Sequence, residues 1–322
     1  MAPNDATIKV AEGHHLRGHL GNLTMEQEQA LVAFKEELAN NNLYTPATSS
    51  DADDVDTAAS HDDATLLRFL RARSFDIAGA HRQFSDAEKW RQKYGVDELY
   101  TSARPEDMKD AQRFYPRWTG RRDKLGIPVF VYRLASLDST VQRDLDAIPA
   151  DDRYKRIIAL YEYMCRFIFP LCSHLPHSTT PTPISSTLTI IDLESVAFGS
   201  MWRLRSHLQE ASKLSTANYP ETLHTIVIVN SPSFFPTIWN WIKGWFDEGT
   251  RQKIHVLGKD PGSTLQSLVD PEHIPVAYGG LLEWKFEDDP QLDDCAKKLV
   301  GEQIPPGPII FTGGTVVKLQ GS

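Results

Sequence analysis

From residue 113 onward, short runs of β-branched residues alternate with segments of helical periodicity. The strand-like runs lie at 129–134, 187–192, 225–229 and 253–257. The helical segments between them lie at 151–169, 200–218 and 234–246. A strand–helix–strand order requires crossover connections, which pack helices onto a mainly parallel, buried sheet. We therefore predict an α/β domain over residues 113–284.

The chain before this domain is predicted to form a helical lobe over residues 21–112. Thr24 followed by Gln27 makes a capping box at the start of a helix. Asp62 and Asp76 precede two further segments with apolar residues at helical spacing, where an aspartate is a favoured N-cap. Three helices are therefore expected before the sheet begins.

Three stretches of the chain are not predicted to form regular secondary structure. Residues 1–20 are interpreted as a flexible arm. Residues 45–61 are small, acidic and without aromatic side chains, which is typical of a disordered insertion. Residues 285–322 are first acidic and then rich in proline and glycine, so we predict a tail that wraps around the domain.

A tryptophan-rich stretch, FFPTIWNWIKGWF at 234–246, holds three of the seven tryptophans of the chain. On a helix, its large apolar side chains would cover an arc of about 160°. They are Phe234, Phe235, Ile238, Trp239, Trp241, Ile242, Trp245 and Phe246. The stretch is shorter than the roughly 20 residues needed to cross a bilayer. Two interpretations remain: a core helix, or a helix that covers an apolar cavity and meets a membrane surface, where tryptophan is favoured.

Composition excludes several classes of protein. The net charge of −9 and the lack of a basic stripe argue against nucleic-acid binding. No secretory signal and no apolar run near 18 residues is found, so neither secretion nor membrane insertion is expected. Three cysteines, an odd and small number, favour a reducing compartment. We predict a cytoplasmic protein.

No motif for catalysis or for a cofactor is found. GKDPGST at 258–264 has the wrong order of residues for a phosphate-binding loop. Asp192 ends a predicted strand, where catalytic groups of α/β folds often lie. However, no nucleophile or second carboxylate stands near it at a sequence spacing that indicates a catalytic site. No zinc-ligand spacing fits the four candidates Cys165, Cys172, His174 and His177. We therefore predict no enzyme, no metal and no cofactor.

Several short motifs, in the same order along the chain, resemble one known family. They are LLRFLRARSFD, the Glu-Lys-Trp at 88–90, TIIDL, ASKLSTANYPE, a Val-Asn-Ser-Pro, KIHVLG and IPVAYGG. The chain resembles the CRAL-TRIO lipid-binding fold and, more narrowly, the phosphatidylinositol/phosphatidylcholine transfer proteins of the fungal secretory pathway. The resemblance runs from about residue 21 to 280. It implies a lipid domain whose mainly parallel sheet floors an apolar pocket, with 234–246 as a mobile gating helix.

The resemblance also implies a head-group site for an inositol lipid. The residues that match the contacts of the family are Arg73, Glu221, Thr250 and Lys253. Arginine, lysine and a hydroxyl can bind a phosphodiester, and a carboxylate can accept hydrogen bonds from inositol hydroxyls. One departure is Ser74, where the family often has a second basic residue.

A second head-group site, for a choline lipid in the family, matches less completely. Thr187 and Thr189 stand where the family has two hydroxyl residues, and Thr119 and Phe130 stand where it has two tyrosines. A tyrosine ring and hydroxyl favour a quaternary ammonium; Phe130 keeps the ring and Thr119 keeps neither. The identity of the second lipid therefore stays open. Haem-binding relatives place His and Tyr at the two strand positions, so haem is not expected here.

The function that the resemblance implies is phosphatidylinositol binding and exchange at membrane surfaces, with presentation to phosphoinositide metabolism. Gly244 and Gly249 flank the gate, and two interpretations stay open for them: hinges of the gate, or residues at helix ends. The expected partners are a phospholipid ligand, a transiently contacted Golgi or endosomal membrane and a phosphoinositide kinase. A monomer is expected. Two alternatives stay open: a binder of another apolar ligand, such as a sterol or isoprenoid, and a lipid-sensing adaptor that does not transfer.

Overall fold

The computed structural model describes residues 16–48, 59–245 and 248–319, except for the side chain of Trp245. Most of the predicted flexible arm, most of the predicted acidic insertion and Phe246 lie outside the described residues. The interpretations of these segments therefore stay predictions.

The three predicted helices are present: α1 (Met25–Asn40), α2 (Asp63–Ala72) and α3 (Ile77–Tyr94). The capping box is present at the start of α1. The Gln27 amide donates to Thr24 Oγ1 at 3.3 Å, and the Thr24 amide donates to Gln27 Oε1 at 3.0 Å. The apolar faces of the three helices pack into one cluster that includes Phe34, Leu38, Leu66, Leu70 and Phe84.

Two short helices, α4 (Val96–Thr101) and α5 (Pro105–Ala111), lead from α3 to the sheet. Gly95 ends α3 in the left-handed conformation, with φ 55°, which glycine adopts without steric cost. Tyr100 of α4 is fully buried, and its hydroxyl donates to the carbonyl of Ile309 at 2.6 Å. This bond joins the helical region to the last part of the chain.

A five-stranded sheet forms the centre of the molecule, with the strands side by side in chain order. They are β1 (Arg117–Arg122), β2 (Pro128–Arg133), β3 (Thr187–Asp192), β4 (Leu223–Val229) and β5 (Ile254–Val256). β1 is antiparallel to β2, and β2 to β5 are parallel. The predicted mainly parallel sheet is therefore confirmed.

β1 was not predicted, because its sequence RWTGRR contains no apolar run. The strand nevertheless lies in the interior, since its charged side chains have partners there. Arg117 donates to the carbonyl of Asp288 at 2.8 Å, and Arg122 pairs with Asp293 at 3.0 Å. Both partners come from the C-terminal part of the chain, so local sequence could not reveal them.

The helices of the α/β domain lie between and after the strands. They are α6 (Ser139–Ala147), α7 (Ala150–Tyr163), α8 (Phe169–His174), α9 (Phe198–Asn218), α10 (Phe235–Ile242), α11 (Glu248–Gln252) and α12 (Gly262–Leu268). A π-helical turn, Met164–Ile168, joins α7 to α8. In the part of the chain that the structure describes, no helix is both long and apolar enough to cross a bilayer.

The gating segment is less regular than predicted. The α-helix ends at Ile242, and a 3₁₀ turn follows over Lys243–Trp245. The prediction of one continuous α-helix over 234–246 is therefore wrong over Lys243–Trp245. Gly244 explains the change, because glycine is about 1 kcal/mol less favourable than alanine inside an α-helix.

The last part of the chain holds more structure than its Pro- and Gly-rich sequence indicated. It contains α13 (Asp294–Val300) and a hairpin of β6 (Ile309–Thr312) and β7 (Thr315–Lys318). Ile309 and Phe311 of the hairpin are buried in the main core. Gly313 and Gly314 make the turn with φ of 55° and 74°, the backbone that a two-residue hairpin turn requires.

Candidate functional site

The structure brings Glu221 and Lys253 together. Glu221 lies in the turn between α9 and β4, and Lys253 directly precedes β5, the neighbour of β4. Lys253 Nζ donates to Glu221 Oε2 at 3.1 Å. Each side chain keeps more than a quarter of its surface exposed, so the pair remains accessible from outside. Thr250 lies in α11, and its carbonyl accepts the Lys253 amide at 3.1 Å.

A third charged group, Arg71 of α2, completes this cluster, although the sequence did not single it out. Its Nε lies 3.9 Å from Glu221 Oε2, and its side chain is only 9% exposed. Within the described residues, this Nε donates no hydrogen bond. Burial, with a further effect of the nearby Arg68, lowers the pKa of Arg71 to about 10, so the guanidinium stays charged at neutral pH. An anion that reached Arg71 would therefore meet a desolvated positive charge.

Arg73 is two residues from Arg71 in the chain, but no hydrogen bond or ion pair joins it to Glu221 or Lys253 among the described residues. It is the C-cap of α2, its side chain is exposed, and its Nη1 donates to the carbonyl of Ala72 at 3.0 Å. No ion pair joins Arg73 to a carboxylate among the described residues. Instead, Arg73 lines a cleft of about 780 Å³ between α3 and α9, together with Arg82, Gln83, Gln209, Lys213 and Gly244.

The charges of the cluster do not cancel. Arg71 and Lys253 carry two positive charges, and Glu221 carries one negative charge. His19 lies close to Arg71 but adds no charge at neutral pH, because burial and then the positive field of Arg71 lower the pKa of His19 to about 3. One unit of positive charge is therefore left over, which matches the single negative charge of a phosphodiester.

Thr187, Thr189 and Phe130 share one face of the sheet. Thr187 and Thr189 are two residues apart on β3, both are buried, and their hydroxyl oxygens lie 3.3 Å apart. Phe130 of β2 is the register partner of Thr189. Trp118 of β1 pairs with Phe130 in turn, so this ring belongs to the same face. Sequence reasoning missed Trp118 because it did not find β1.

The Thr119 side chain makes its hydrogen bonds within the β1–β2 hairpin. Its hydroxyl donates to the carbonyl of Val129 at 3.1 Å and accepts the amide of Arg121 at 3.2 Å. Thr119 follows Trp118 on the strand, and successive side chains point to opposite faces. The structure therefore does not bring the Thr119 side chain together with Thr187, Thr189 and Phe130.

α10 is held to the molecule by few contacts. Of its residues only Phe235 and Ile238 are buried; Phe234, Trp239 and Ile242 are half-buried. The ring of Trp241 packs edge-on against Phe198 and Trp202 of α9, with centroids 5.5 and 5.1 Å apart. These three rings are each between 42% and 48% exposed. The helix therefore presents aromatic surface to solvent.

The two glycines predicted as hinges occupy different settings. Gly244 lies in the 3₁₀ turn after α10 and faces the cleft, and an added Cβ there would meet no atom within 4 Å. Gly249 lies inside α11 and is exposed. Space therefore does not require a glycine at Gly244, and the role of both residues as hinges stays a prediction.

The other candidate residues have structural partners. Asp192 Oδ1 accepts the amide of Glu194 at 2.8 Å and the side-chain amide of Asn230 at 2.9 Å, and Oδ2 accepts the hydroxyl of Tyr278 at 3.1 Å. His177 bonds to Thr179 Oγ1 at 2.8 Å. Asp192 thus fixes the ends of β3 and β4 to the loop that follows α12.

Comparison with known proteins gives the family. A family model described as the CRAL/TRIO domain matches residues 115–280, and one described as the CRAL/TRIO N-terminal domain matches residues 30–86. The chain is similar to the Sec14 cytosolic factor of Schizosaccharomyces pombe, with 32% identity over 264 residues, which is 82% of this chain and 85% of that protein. It is also similar to the phosphatidylinositol/phosphatidylcholine transfer protein SFH9 of Arabidopsis thaliana, with 32% identity over 257 residues, which is 79% of this chain and 41% of that protein.

A solved structure described as the crystal structure of Sfh5 has the same fold. It superposes with a TM-score of 0.52 at 20% identity and covers 70% of this chain and 77% of that one. The family model spans just over half of the chain and includes the whole five-stranded sheet and the helices α6 to α12. The resemblance predicted from the motifs is confirmed, and the chain belongs to the CRAL/TRIO domain family.

Proposed function

We propose that this protein binds phosphatidylinositol and transfers it between membranes. The observation that carries the proposal is the cluster of Arg71, Glu221 and Lys253, with its unmatched positive charge. The similarity to a protein named for phosphatidylinositol and phosphatidylcholine transfer supports the same ligand class. The proposal includes no catalytic step and no cofactor.

In the proposed complex, the phosphodiester accepts hydrogen bonds from Lys253 and Arg71. Glu221 accepts hydrogen bonds from inositol hydroxyls, for which an ionised carboxylate has several lone pairs available. Its contact with Lys253 at 3.1 Å keeps the carboxylate oriented. Arg73, on the wall of the cleft between α3 and α9, and Thr250, in α11 close to Lys253, are further proposed contacts.

The acyl chains determine where lipid exchange can take place. Two chains hold roughly 30 methylenes, and their exposure to water would cost about 25 kcal/mol at ~0.8 kcal/mol each. Exchange must therefore take place at the membrane, with little exposure of the chains to water. Because this cost is nearly equal for all diacyl lipids, selection falls to the head group. Each charge-assisted hydrogen bond contributes about 1.5–3 kcal/mol, and two give a hundredfold preference or more.

The apolar face of the sheet is the proposed position of the acyl chains. Thr189, Ile226 and Ile254 are register partners across β3, β4 and β5 and so lie on one face. We propose that α10, with its few buried side chains, moves away from this face and gives the chains room. Thr187, Thr189 and Phe130 would then meet the head group of the second lipid that is exchanged.

The exposed rings of α9 and α10 support a transient membrane contact during exchange. Tryptophan is favoured at the interface between lipid and water, and Trp202 and Trp241 are both accessible. We propose that the protein acts as a monomer in the cytoplasm, peripherally on Golgi or endosomal membranes. There it would present phosphatidylinositol to a phosphoinositide kinase.

A vesicle assay with labelled lipids tests the proposal. Lys253→Ala and Glu221→Ala should each reduce the transfer of phosphatidylinositol at least tenfold, because each removes a head-group contact. The matched surface variants Lys298→Ala and Glu36→Ala remove the same charges elsewhere and should transfer at the wild-type rate. Both residues are exposed.

The same assay separates the alternatives. If Lys253→Ala and Glu221→Ala move the inositol lipid at the native rate, the site is wrong. If the wild type binds the lipid but moves none between vesicles, the protein is a lipid-sensing adaptor. Release of a sterol or an isoprenoid in native mass spectrometry of the purified protein would show a different apolar ligand.

A further inference from the structure

Within the described residues, a second buried arginine, Arg68 of α2, has no ion-pair partner. Its side chain is only 7% exposed. Among the described residues it makes one hydrogen bond, from Nη1 to the Sγ of Cys165 at 3.6 Å. No described carboxylate lies within ion-pair distance of it. A buried guanidinium without an anion is destabilising, so such groups in proteins are normally paired.

Two carboxylates that lie close to the neighbours of Arg68 are already paired. Glu162, three residues before Cys165 on the same helix, binds Arg91 at 2.8 Å and Arg166 at 2.6 Å. Glu221 binds Lys253. Cys165 adds no charge of its own, because burial raises the pKa of its thiol above the ordinary value. The positive charge of Arg68 is therefore unmatched within the described residues.

A cavity of about 380 Å³ lies directly against Arg68. It is formed where the start of α2, the helix α8 and the turn of the β6–β7 hairpin meet. Its walls are partly polar, with Arg68, Cys165 and Ser185, and partly apolar, with Phe169, Ile184 and Phe311. Among the described residues, the Ser185 hydroxyl makes no hydrogen bond. The volume falls within the range of about 300–1,000 Å³ that is typical of small-molecule sites.

We propose that this cavity binds a small organic monocarboxylate. The carboxylate would lie on the guanidinium of Arg68, whose planar fork matches two carboxylate oxygens. Ser185 would donate a further hydrogen bond, and the hydrocarbon part would pack against Phe169, Ile184 and Phe311. Asp62 lies at the rim of the same cavity. Its negative charge disfavours a dianion, which is why a carboxylate fits better than a phosphate monoester.

This site is distinct from the cluster of Glu221 and Lys253 and shares no residue with it. The proposal therefore does not rest on phosphatidylinositol transfer, and either can fail without the other. A bound carboxylate would also link the helical lobe to the C-terminal hairpin, because residues of both α2 and β6 line the cavity. Its binding should raise the melting temperature of the whole chain.

Isothermal titration of the full chain with sodium hexanoate at pH 7.5 tests the proposal, with hexan-1-ol and propyl phosphate as comparison ligands. Hexanoate should bind at least tenfold more tightly than either and should raise the melting temperature. Arg68→Gln should weaken hexanoate binding at least tenfold. Arg143→Gln, which removes an exposed arginine from α6, should bind as the wild type does.

A second variant keeps the test decisive if Arg68→Gln does not fold. Ala64→Phe leaves the guanidinium in place and fills the cavity from α2, where Ala64 is half-buried and lines the wall. It should lose hexanoate binding at least tenfold. Equal affinity for hexanoate and hexan-1-ol, or wild-type affinity in Ala64→Phe, would overturn the proposal. Tighter binding of propyl phosphate than of hexanoate would overturn the assignment to a carboxylate.

Discussion

Glu221 occupies a backbone conformation that is unfavourable for its side chain. Its φ of 57° lies in the left-handed region, where a residue other than glycine costs about 1–3 kcal/mol. A glycine at this position would make the turn between α9 and β4 without that cost. The turn nevertheless holds a carboxylate, which meets Lys253 and Arg71. Strain of this kind is typical of functional sites, and the proposed role in binding inositol hydroxyls agrees with it.

At the same scale, Asp123 makes the stability of the protein depend on pH. It lies in the turn between β1 and β2, where its Oδ1 accepts the amides of Leu125 and Ile127, each at 2.8 Å. Burial raises the pKa of Asp123 to about 7, although these amides oppose the shift. The folded protein thus keeps a proton that the unfolded chain releases near pH 4. Stability is therefore lost as the pH rises from about 4 to about 7.

Urea denaturation at pH 5 and pH 8 measures this effect. Between these values, the free energy of unfolding of the wild type should fall by about 2–3 kcal/mol more than that of Asp123→Asn. The asparagine keeps an oxygen that accepts both amides but has no proton to lose. If the two proteins lose equal stability over this range, Asp123 does not titrate near 7.

At the scale of the elements, α10 stands out because so little holds it in place. Phe235 and Ile238 anchor its first half. In its second half, Trp239 and Ile242 are half-buried against the core, and Trp241 contacts Phe198 and Trp202 edge-on. The strands β3 and β4, in contrast, are buried on both faces over most of their length. Local opening should therefore begin at α10 rather than in the sheet.

Hydrogen–deuterium exchange tests this order of opening. The amides of α10 should exchange at least tenfold faster than those of β3 and β4. Trp241→Ala should speed exchange in α10 about tenfold further, because it removes two aromatic pairs of about 0.5–1.5 kcal/mol each. Leu281→Ala, which removes an exposed leucine elsewhere, should leave α10 unchanged. Equal protection of α10 and the sheet would contradict a gating role.

At the scale of the whole molecule, the sequence predicted the structural features that depend on residues close together in the chain. The capping box of α1 and the parallel strands β2 to β5 follow from local pattern, and the structure contains them. β1 was not predicted because the partners of its arginines lie about 170 residues away in the chain. The hairpin of β6 and β7 was not predicted for a similar reason. The carbonyl of Ile309 in this hairpin accepts a hydrogen bond from Tyr100, which is distant in the chain.

The candidate head-group site likewise combines features that the sequence predicted with features that it did not. Glu221 and Lys253 were paired from motifs far apart in the chain, and the structure places them in contact. The motif LRAR did not show which of its two arginines faces Glu221, because that depends on how α2 packs against the turn after α9. Arg71 and Arg68 are three residues apart and therefore share a face of α2. This spacing inside an apolar run was the available signal that both are buried.

The central claim is that head-group contacts at Glu221 and Lys253 select the lipid, whereas the acyl chains only hold it. Native mass spectrometry after loading from vesicles with equal amounts of phosphatidylinositol and phosphatidylcholine, matched in their acyl chains, measures this selection directly. The wild type should favour phosphatidylinositol about a hundredfold. Glu221→Gln and Lys253→Ala should bind as much total lipid with a ratio close to one. An unchanged ratio in both variants would contradict the claim.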